Sequence, residues 1–326
     1  MTVETGSPRQ EREPAAATPS LATTRPPKKR LNWQPYVWIL PGLAMLALFL
    51  FYPVFFTSLL SLFEWNGYTR DIFGTFVGLG NYVELAKDAT FHKALFNTLL
   101  FVFFGTTVQL GIAFVLATFF FMGEFRGASI LRGVIFFPSV LSAVVVAIIW
   151  RNVIFLRGGL INLFTSALGL PAFFPLGDTN FIVFAIILVA IWQGVGFNLV
   201  IFYAGLQSMQ QEIIESAQID GAGFWRVFLH IITPLQAPII LINIVLNIIG
   251  GIQIFDLVFV LTSGPMKSVH AADVLATYML FNSFAGSMLS GGRSQLGYAA
   301  AIAVVMMAIM LVFAVLRTRA HRAIDY

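Results

Sequence analysis

No cysteine occurs in the 326 residues, which excludes a disulfide framework, a thiol nucleophile and a cysteine-based metal site. Charge is nearly as scarce. Asp, Glu, Lys and Arg make up 10% of the chain, where a soluble domain carries about 25%. So few charged groups cannot face water over a whole surface. The chain also lacks a G-x-x-x-x-G-K-[ST] phosphate loop, an H-E-x-x-H metal pair and a G-x-S-x-G nucleophile turn. It therefore carries no nucleotide-hydrolysing site, metalloprotease site or serine-hydrolase site of these kinds. The net charge of +4 is small for the length and is no signal for nucleic acid; its meaning lies in where the basic residues sit.

What the chain does contain is apolar sequence. Hydrophobic residues make up 58%, and the mean hydropathy is +0.86. An integral membrane protein follows. A helix needs about 20 apolar residues to cross the hydrocarbon core. Six runs meet that need: Pro35–Leu62, Leu95–Met122, Ile130–Trp150, Phe181–Leu206, Leu235–Thr262 and Leu296–Leu316. The expected fold is all-α, with six transmembrane helices over residues 35–316 and a polar helix pair between the fourth and fifth (loop 207–234). Pro41 and Pro53 lie inside the first run, where a kink is tolerated. That run is too long for a cleaved signal and is read as a retained helix.

Residues 1–34 form a Pro-, Ala- and Thr-rich basic tail without apolar periodicity, expected to be disordered. It ends in "RPPKKR", Arg25 to Arg30. The tail at 317–326 holds Arg317, Arg319 and Arg322. Basic residues collect on the cytoplasmic side, so both termini are expected there, which an even number of spans permits. The loop at Glu124–Arg126 and the polar segment then fall inside as well. The loop from Glu64 to Lys93 falls outside.

The polar segment "ESAQIDGAGFWRVFLHIITPLQAP", Glu215 to Pro238, stands out between two apolar runs. Gln211 to Asp220 reads as a short helix with Glu212 and Glu215 in its first turns. Gly221-Ala222-Gly223 reads as a break, since glycine permits turns that other residues resist. Phe224, Phe228 and Ile231 then recur at helical spacing, and Pro234 and Pro238 sit where a following helix tolerates proline. A helix-turn-helix anchored by its aromatic face and wet on the other results. It is either a plain interfacial connection or a docking element. Asp220 is an N-cap candidate for the second short helix. Arg226 suits either a partner contact or an anionic headgroup. His230 has no metal-ligating neighbour at suitable spacing.

Polar residues within spans are expensive, and the fifth run has the most. Asn243 and Asn247 share one face. Gly250-Gly251 follows, then Gln253 and Asp256 on another face roughly 120° away at about 100° per residue. A straight helix cannot aim both pairs at one ligand, whereas a distortion at the glycines can. On the fourth run, Trp192, Gln193, Phe197 and Asn198 surround a flexible Gly194/Gly196 pair. Aromatic faces beside amides suit a saccharide, which has apolar CH faces and many hydroxyls. Bonding between helices is the plain alternative for each amide. Arg151 and Arg157, just outside the third run, are candidates for contact with an external protein.

The polar segment resembles the coupling motif of ABC importer permeases. Glu215, Ala217, Asp220, Gly221, Ala222, Phe228, Ile231 and Pro234 fall at matching positions; Ser216 and Thr233 depart from the pattern. "FVGLGNYVELAKDATFHKALFNTLLF" (Phe76 to Phe101), "FDLVFVLTSGP" (Phe255 to Pro265, one glycine short of the usual ending) and "LGYAAAIAVVMM" (Leu296 to Met307) are similar to segments of the carbohydrate-uptake type, the maltose-, glycerol-phosphate- and lactose-like permeases. The likeness spans residues 35 to 320. It implies a bacterial plasma-membrane subunit paired with a second homologous permease. Two cytoplasmic ATPases would bind the ATP and Mg, so that this chain carries no cofactor, and an external solute-binding protein would deliver a carbohydrate. It further implies ATPase coupling through Glu215, Ala217, Asp220, Gly221, Ala222 and Arg226. It favours Gly194, Phe197, Asn247 and Gly251 in the substrate path, with Asn198, Gln253 and Asp256 as further candidates. For Asp256, fixing the external loop or pairing with the other subunit is the expectation ahead of sugar contact. An importer for another solute, or a secondary transporter, is the alternative; the latter needs buried charges in several spans, and Asp256 is the one acid within a run.

Overall fold

In lipid, a backbone must satisfy its own hydrogen bonds, so long apolar runs become helices. The computed structural model describes residues 34–68, 75–123, 126–155, 158–262, 271–283 and 295–324. The basic tail to residue 33, Arg70, Asp71, Glu124, Arg157, the Ser-Gly-Pro sequence at 263–265 and the side chains of the C-terminal arginines lie outside the described residues.

The described residues divide into two compact units, one ending at Leu50 and the other starting at Phe51. Among the described residues, five helices are long and apolar enough to cross a membrane. In chain order the helices begin with α1 (Val37–Leu60), the short α2 (Gly80–Lys87) and α3 (Ala89–Met122). Then come α4 (Ala128–Val140), α5 (Ala143–Ile154), α6 (Leu160–Ala167) and α7 (Ile182–Gln207). The remainder among the described residues are α8 (Gln211–Ile219), α9 (Phe224–Leu235), α10 (Ala237–Ile252), α11 (Asp256–Thr262), α12 (Leu275–Asn282) and α13 (Leu296–Ile324). Every described side chain from Val37 to Leu50 is exposed; contiguous apolar surface of this kind marks contact with membrane or protein. Between α1 and α2, Phe63–Glu64 pairs antiparallel with Thr75–Phe76, a departure from the all-α expectation among the described residues.

The third expected span is not one helix. α4 and α5 meet at 96°. Pro138 lies in the last turn of α4, and Leu141 and Ser142 are extended. The Leu141 carbonyl, freed at the break, accepts a bond from Gln193 Nε2 on α7 at 3.0 Å. The charge-free stretch Gly133–Trp150 reads as part of one span, but the proline and the two serines around it permit the corner. α3 begins six residues before its expected start at Leu95, because Asp88 caps it: Asp88 Oδ1 accepts from the Thr90 N–H at 2.8 Å.

Two apolar cores lie along the long helices. One gathers Phe101, Ile186, Ile252, Leu275 and Ile302. The other gathers Phe114, Leu199, Phe202 and Phe228. At the Asp88 end, polar ties cross long sequence distances. Asn97 Nδ2 donates to the carbonyls of Ala271 and Asp273 at 3.1 and 2.8 Å. Tyr278 donates to Asp88 Oδ2, as does the Tyr298 hydroxyl at 2.6 Å. Burial opposes ionisation of Asp88, but the hydrogen bonds from Tyr278, Tyr298 and the backbone at Thr90 and Phe91 outweigh it and hold its carboxyl below the ordinary range. Burial, and next the bond to Asp88, pushes the Tyr278 hydroxyl up to about 12.

Asp88→Ala is therefore expected to lower stability by about 1–2 kcal/mol, two charge-assisted bonds discounted for partial exposure. Thermal unfolding in detergent measures it. The raised Tyr278 contributes stability that is complete below its ordinary value of 10.0 and lost as pH rises through about 12. The lowered Asp88 contributes stability that is complete above its ordinary 3.8 and lost as pH falls through its folded value. The wild-type advantage over Asp88→Ala should shrink at both extremes.

Candidate functional site

The segment between α7 and α10 folds as two short helices, and its glycine turn has a definite geometry. Asp220 closes α8, and Gly221 follows with φ +80°. The Gly221 N–H donates to the Gln218 carbonyl at 3.0 Å, and the Ala222 N–H to the Ala217 carbonyl at 2.9 Å. This crossed pair is a Schellman turn, with glycine at the left-handed position. Ala217 and Ala222 both pack against the second core, which supplies the apolar contact such turns carry. The Asp220 N-cap expectation is corrected: Gly223 occupies the N-cap of α9, with no side-chain cap.

α9 is anchored on protein. Val227, Phe228 and Ile232 are buried, and the Phe228 ring lies 5.0 Å from that of Phe114 on α3. Sequence periodicity places Ile231 on this face, where it packs half-buried, and the helix opens into a wide π-type turn over Phe228–Ile232. The extra residue in the turn moves the buried position to Ile232. Ser216 and Thr233, which depart from the family pattern, both bond within the segment: Ser216 Oγ donates to the Ile213 carbonyl at 3.0 Å, and Thr233 Oγ1 to that of Phe228 at 2.7 Å. The opposite surface is exposed. Glu215, Asp220 and Arg226 lie on it, beside Ile219, Trp225 and Leu229 at 86, 61 and 55% exposure. Exposed apolar groups interleaved with charge on a rigid turn make a surface suited to a protein partner.

Farther along α7 and α10, a cavity of about 450 Å³ opens, within the ~300–1,000 Å³ range of small-molecule sites. Gly194, Phe197, Asn198, Asn247, Gly251, Gln253 and Asp256 all line it. The two faces of the fifth run meet one space because α10 ends at Ile252 and a new helix starts at Asp256. The break falls at Gln253–Phe255, not at Gly250-Gly251 as the composition suggests. Gly251 serves close packing: a Cβ there would meet Val102 Cγ2 at 3.0 Å. Gly196 is likewise no hinge. A Cβ on it would meet the Ile135 carbonyl oxygen at 2.3 Å, so it sets the contact of α7 with α4. Asn243 is fully buried and bonds the Ile239 carbonyl at 3.1 Å. Trp192 stacks edge-on against Trp150 at 5.4 Å.

Gln109 on α3 is a cavity residue that sequence reading misses. A wide turn at Gly105–Gln109, with Thr106 and Thr107 each bonding a carbonyl four residues back at 2.6 Å, resets the helix phase there. Gln109 Nε2 donates to Asn247 Oδ1 at 3.0 Å, and Asn247 Nδ2 donates to Asn198 Oδ1 at 3.1 Å. A lone glutamine in an apolar run was the available signal. Arg151 Nη1 donates to the Val260 carbonyl at 2.9 Å, which ties α5 to α11. Arg157 is outside the described residues.

Residues 109–326 match the family model described as binding-protein-dependent transport system inner membrane component. The chain is similar to a probable ABC transporter permease protein of Bacillus subtilis, YurN, at 32% identity over 87% of this chain and 94% of that one. It is 29% identical to the lactose transport system permease protein LacF of Rhizobium radiobacter, over 88% of this chain and 93% of the relative. It is 30% identical to the diacetylchitobiose uptake system permease protein NgcF of Streptomyces coelicolor, over 97 and 89%. Among solved structures, a chain of a bacterial alginate ABC transporter, in complex with an alginate pentasaccharide-bound periplasmic protein, shares the fold. Its TM-score is 0.75 at 22% identity, covering 90% of this chain and 95% of that one.

Proposed function

The chain belongs to the family of binding-protein-dependent transport system inner membrane components, and on that premise we propose that it is one permease half of an ATP-driven saccharide importer. It is a multi-pass membrane protein in which α4 and α5 together act as the third of six spans, with both termini cytoplasmic. A second, homologous permease completes the pathway. Two ATPase subunits bind the ATP and Mg, and an external binding protein delivers the saccharide.

The observation that carries the saccharide reading is the cavity lining. Five amides (Gln109, Gln193, Asn198, Asn247 and Gln253) and the exposed ring of Phe197 face one space. Amides match hydroxyls as donors and acceptors, and an aromatic face covers apolar CH surface. The curated relatives named for lactose and diacetylchitobiose uptake support the same substrate class.

The coupling role belongs to the α8–α9 pair. Glu215 and Arg226 offer charge-assisted contacts to an ATPase, while Ile219 and Trp225 give an apolar anchor. The Schellman turn and the Phe228–Phe114 contact make the pair a stiff lever on α3. Closure of the ATPases would then move α3, and with it Gln109 in the cavity.

The test is ATP hydrolysis by the complex purified in lipid with the products of neighbouring genes. A panel of oligosaccharides presented with the binding protein should include one that stimulates turnover, and Glu215→Ala should weaken that stimulation while the complex still assembles. A chain that captures no ATPase subunit would refute the coupling role.

A further inference from the structure

The described lining of the cavity holds a single ionisable side chain, and it is an acid. Asp256 lies exposed on its lining. No Lys, Arg or His lines it among the described residues. Arg151 points to the Val260 carbonyl and is not on the lining.

Six of the ten N–H groups on the five lining amides already give a bond, those of Gln109 to Asn247 Oδ1 at 3.0 Å and of Gln253 to Met310 Sδ at 3.6 Å among them. Both N–H groups of Asn247 are engaged, one with Asn198 Oδ1 at 3.1 Å and one with the Asn243 carbonyl at 3.0 Å. Asn198 Nδ2 gives one bond to the Gly194 carbonyl at 3.1 Å, and Gln193 Nε2 gives one to that of Leu141 at 3.0 Å.

A carboxylate taken out of water needs a cation or several N–H donors to replace its hydration. This lining offers no cation, has committed much of its N–H capacity, and adds a like charge. A hydroxyl or an ammonium group meets the opposite situation, because Asp256 accepts from both, and more strongly from the ammonium.

We propose that this half of the pathway admits neutral and amino-bearing saccharides and rejects uronic acids, with Asp256 setting the charge preference. The proposal rests on the saccharide reading of the same cavity and adds the substrate's charge to it.

The cysteine-free sequence allows a direct test. Ser139, on the cavity lining, is changed to cysteine, and the assembled complex in lipid nanodiscs is treated with a thiol reagent. Labelling of this chain is followed by mass. Short oligomers of glucose, glucosamine and glucuronic acid sharing one linkage are added at increasing concentration, without binding protein.

Glucose and glucosamine oligomers should slow labelling. The glucuronic acid oligomer should need about tenfold more for equal protection. Adding Asp256→Asn should bring that gap within about twofold, with the glucose oligomer as the internal reference in each variant.

Equal or better protection by the glucuronic acid oligomer would overturn the charge preference and leave the saccharide reading standing. An unchanged gap in Asp256→Asn would overturn the role of that residue. Protection by none of the three, at a thiol the reagent still reaches, would remove the saccharide reading and the proposal with it.

Discussion

Gly221→Pro is expected to abolish substrate-stimulated ATP hydrolysis in a complex that still reaches the membrane. The residue sits at φ +80°, and its N–H closes the turn to Gln218. Proline fixes φ near −65° and has no N–H, so it removes the bond and the conformation together. Gly221→Val keeps the N–H but must hold a β-branched residue in left-handed geometry, at about 1–2 kcal/mol. That reduces the competent turn by about 5–30-fold. Gly221→Asn should lose least, because asparagine tolerates this region. Gly223 two positions on is the control. Its backbone is extended, with φ −73°, and a Cβ there meets nothing within 4 Å, so Gly223→Ser, which keeps a favourable N-cap on α9, should be close to neutral. A graded loss in the order Pro, Val, Asn assigns the effect to backbone geometry. Equal losses at Gly221 and Gly223 would assign it to something else in the segment.

Gly196→Ala is expected to destabilise the chain and disturb the cavity at once. The added methyl would lie 2.3 Å from the Ile135 carbonyl oxygen and 2.7 Å from Phe136 Cα. Both obstacles are backbone, so α4 and α7 must separate. Overpacking of this kind costs about 1–3 kcal/mol. Ser139 on α4 and Phe197 and Asn198 on α7 line the same cavity, so separation also moves them. Thermal unfolding and saccharide-stimulated ATPase activity should fall together. Gly133→Ala on α4 and Gly250→Ala on α10 meet nothing within 4 Å. In thermal unfolding both should be neutral or gain up to about 1 kcal/mol from helix propensity; Gly133, which is off the cavity lining, is the control for activity. A Gly196→Ala chain as stable as wild type would mean that the two helices pack less closely than described.

The spans were legible because about 20 apolar residues in sequence have few other uses. The same rule hid the corner between α4 and α5: a charge-free run satisfies it with or without a break. Polar residues such as Asn247 and Asp256 were legible as cavity candidates because each is conspicuous against an apolar run. Gln109 is not legible in this way, since the wide turn at Gly105–Gln109 shifts the helix phase and periodicity cannot anticipate that shift. For the same reason periodicity picks out Ile231, which packs half-buried against the second core, and passes over the fully buried Ile232. The Asp88–Tyr278–Tyr298 cluster joins residues 190 and 210 positions apart. No local pattern in the sequence announces such a tie. A glycine in sequence does not declare whether it serves a turn or a close contact. At Gly221 the expected turn is present, whereas at Gly196 and Gly251 the small residue serves close packing.

The most direct measurement is uptake of a labelled neutral oligosaccharide into proteoliposomes that hold the assembled complex, with ATP inside and binding protein outside. Accumulation above the external concentration is predicted, lost without ATP and strongly reduced by Asn247→Leu, which removes the central amide of the Gln109–Asn247–Asn198 chain. Accumulation that continues without ATP or without the ATPase subunits would contradict the account and point to a secondary carrier.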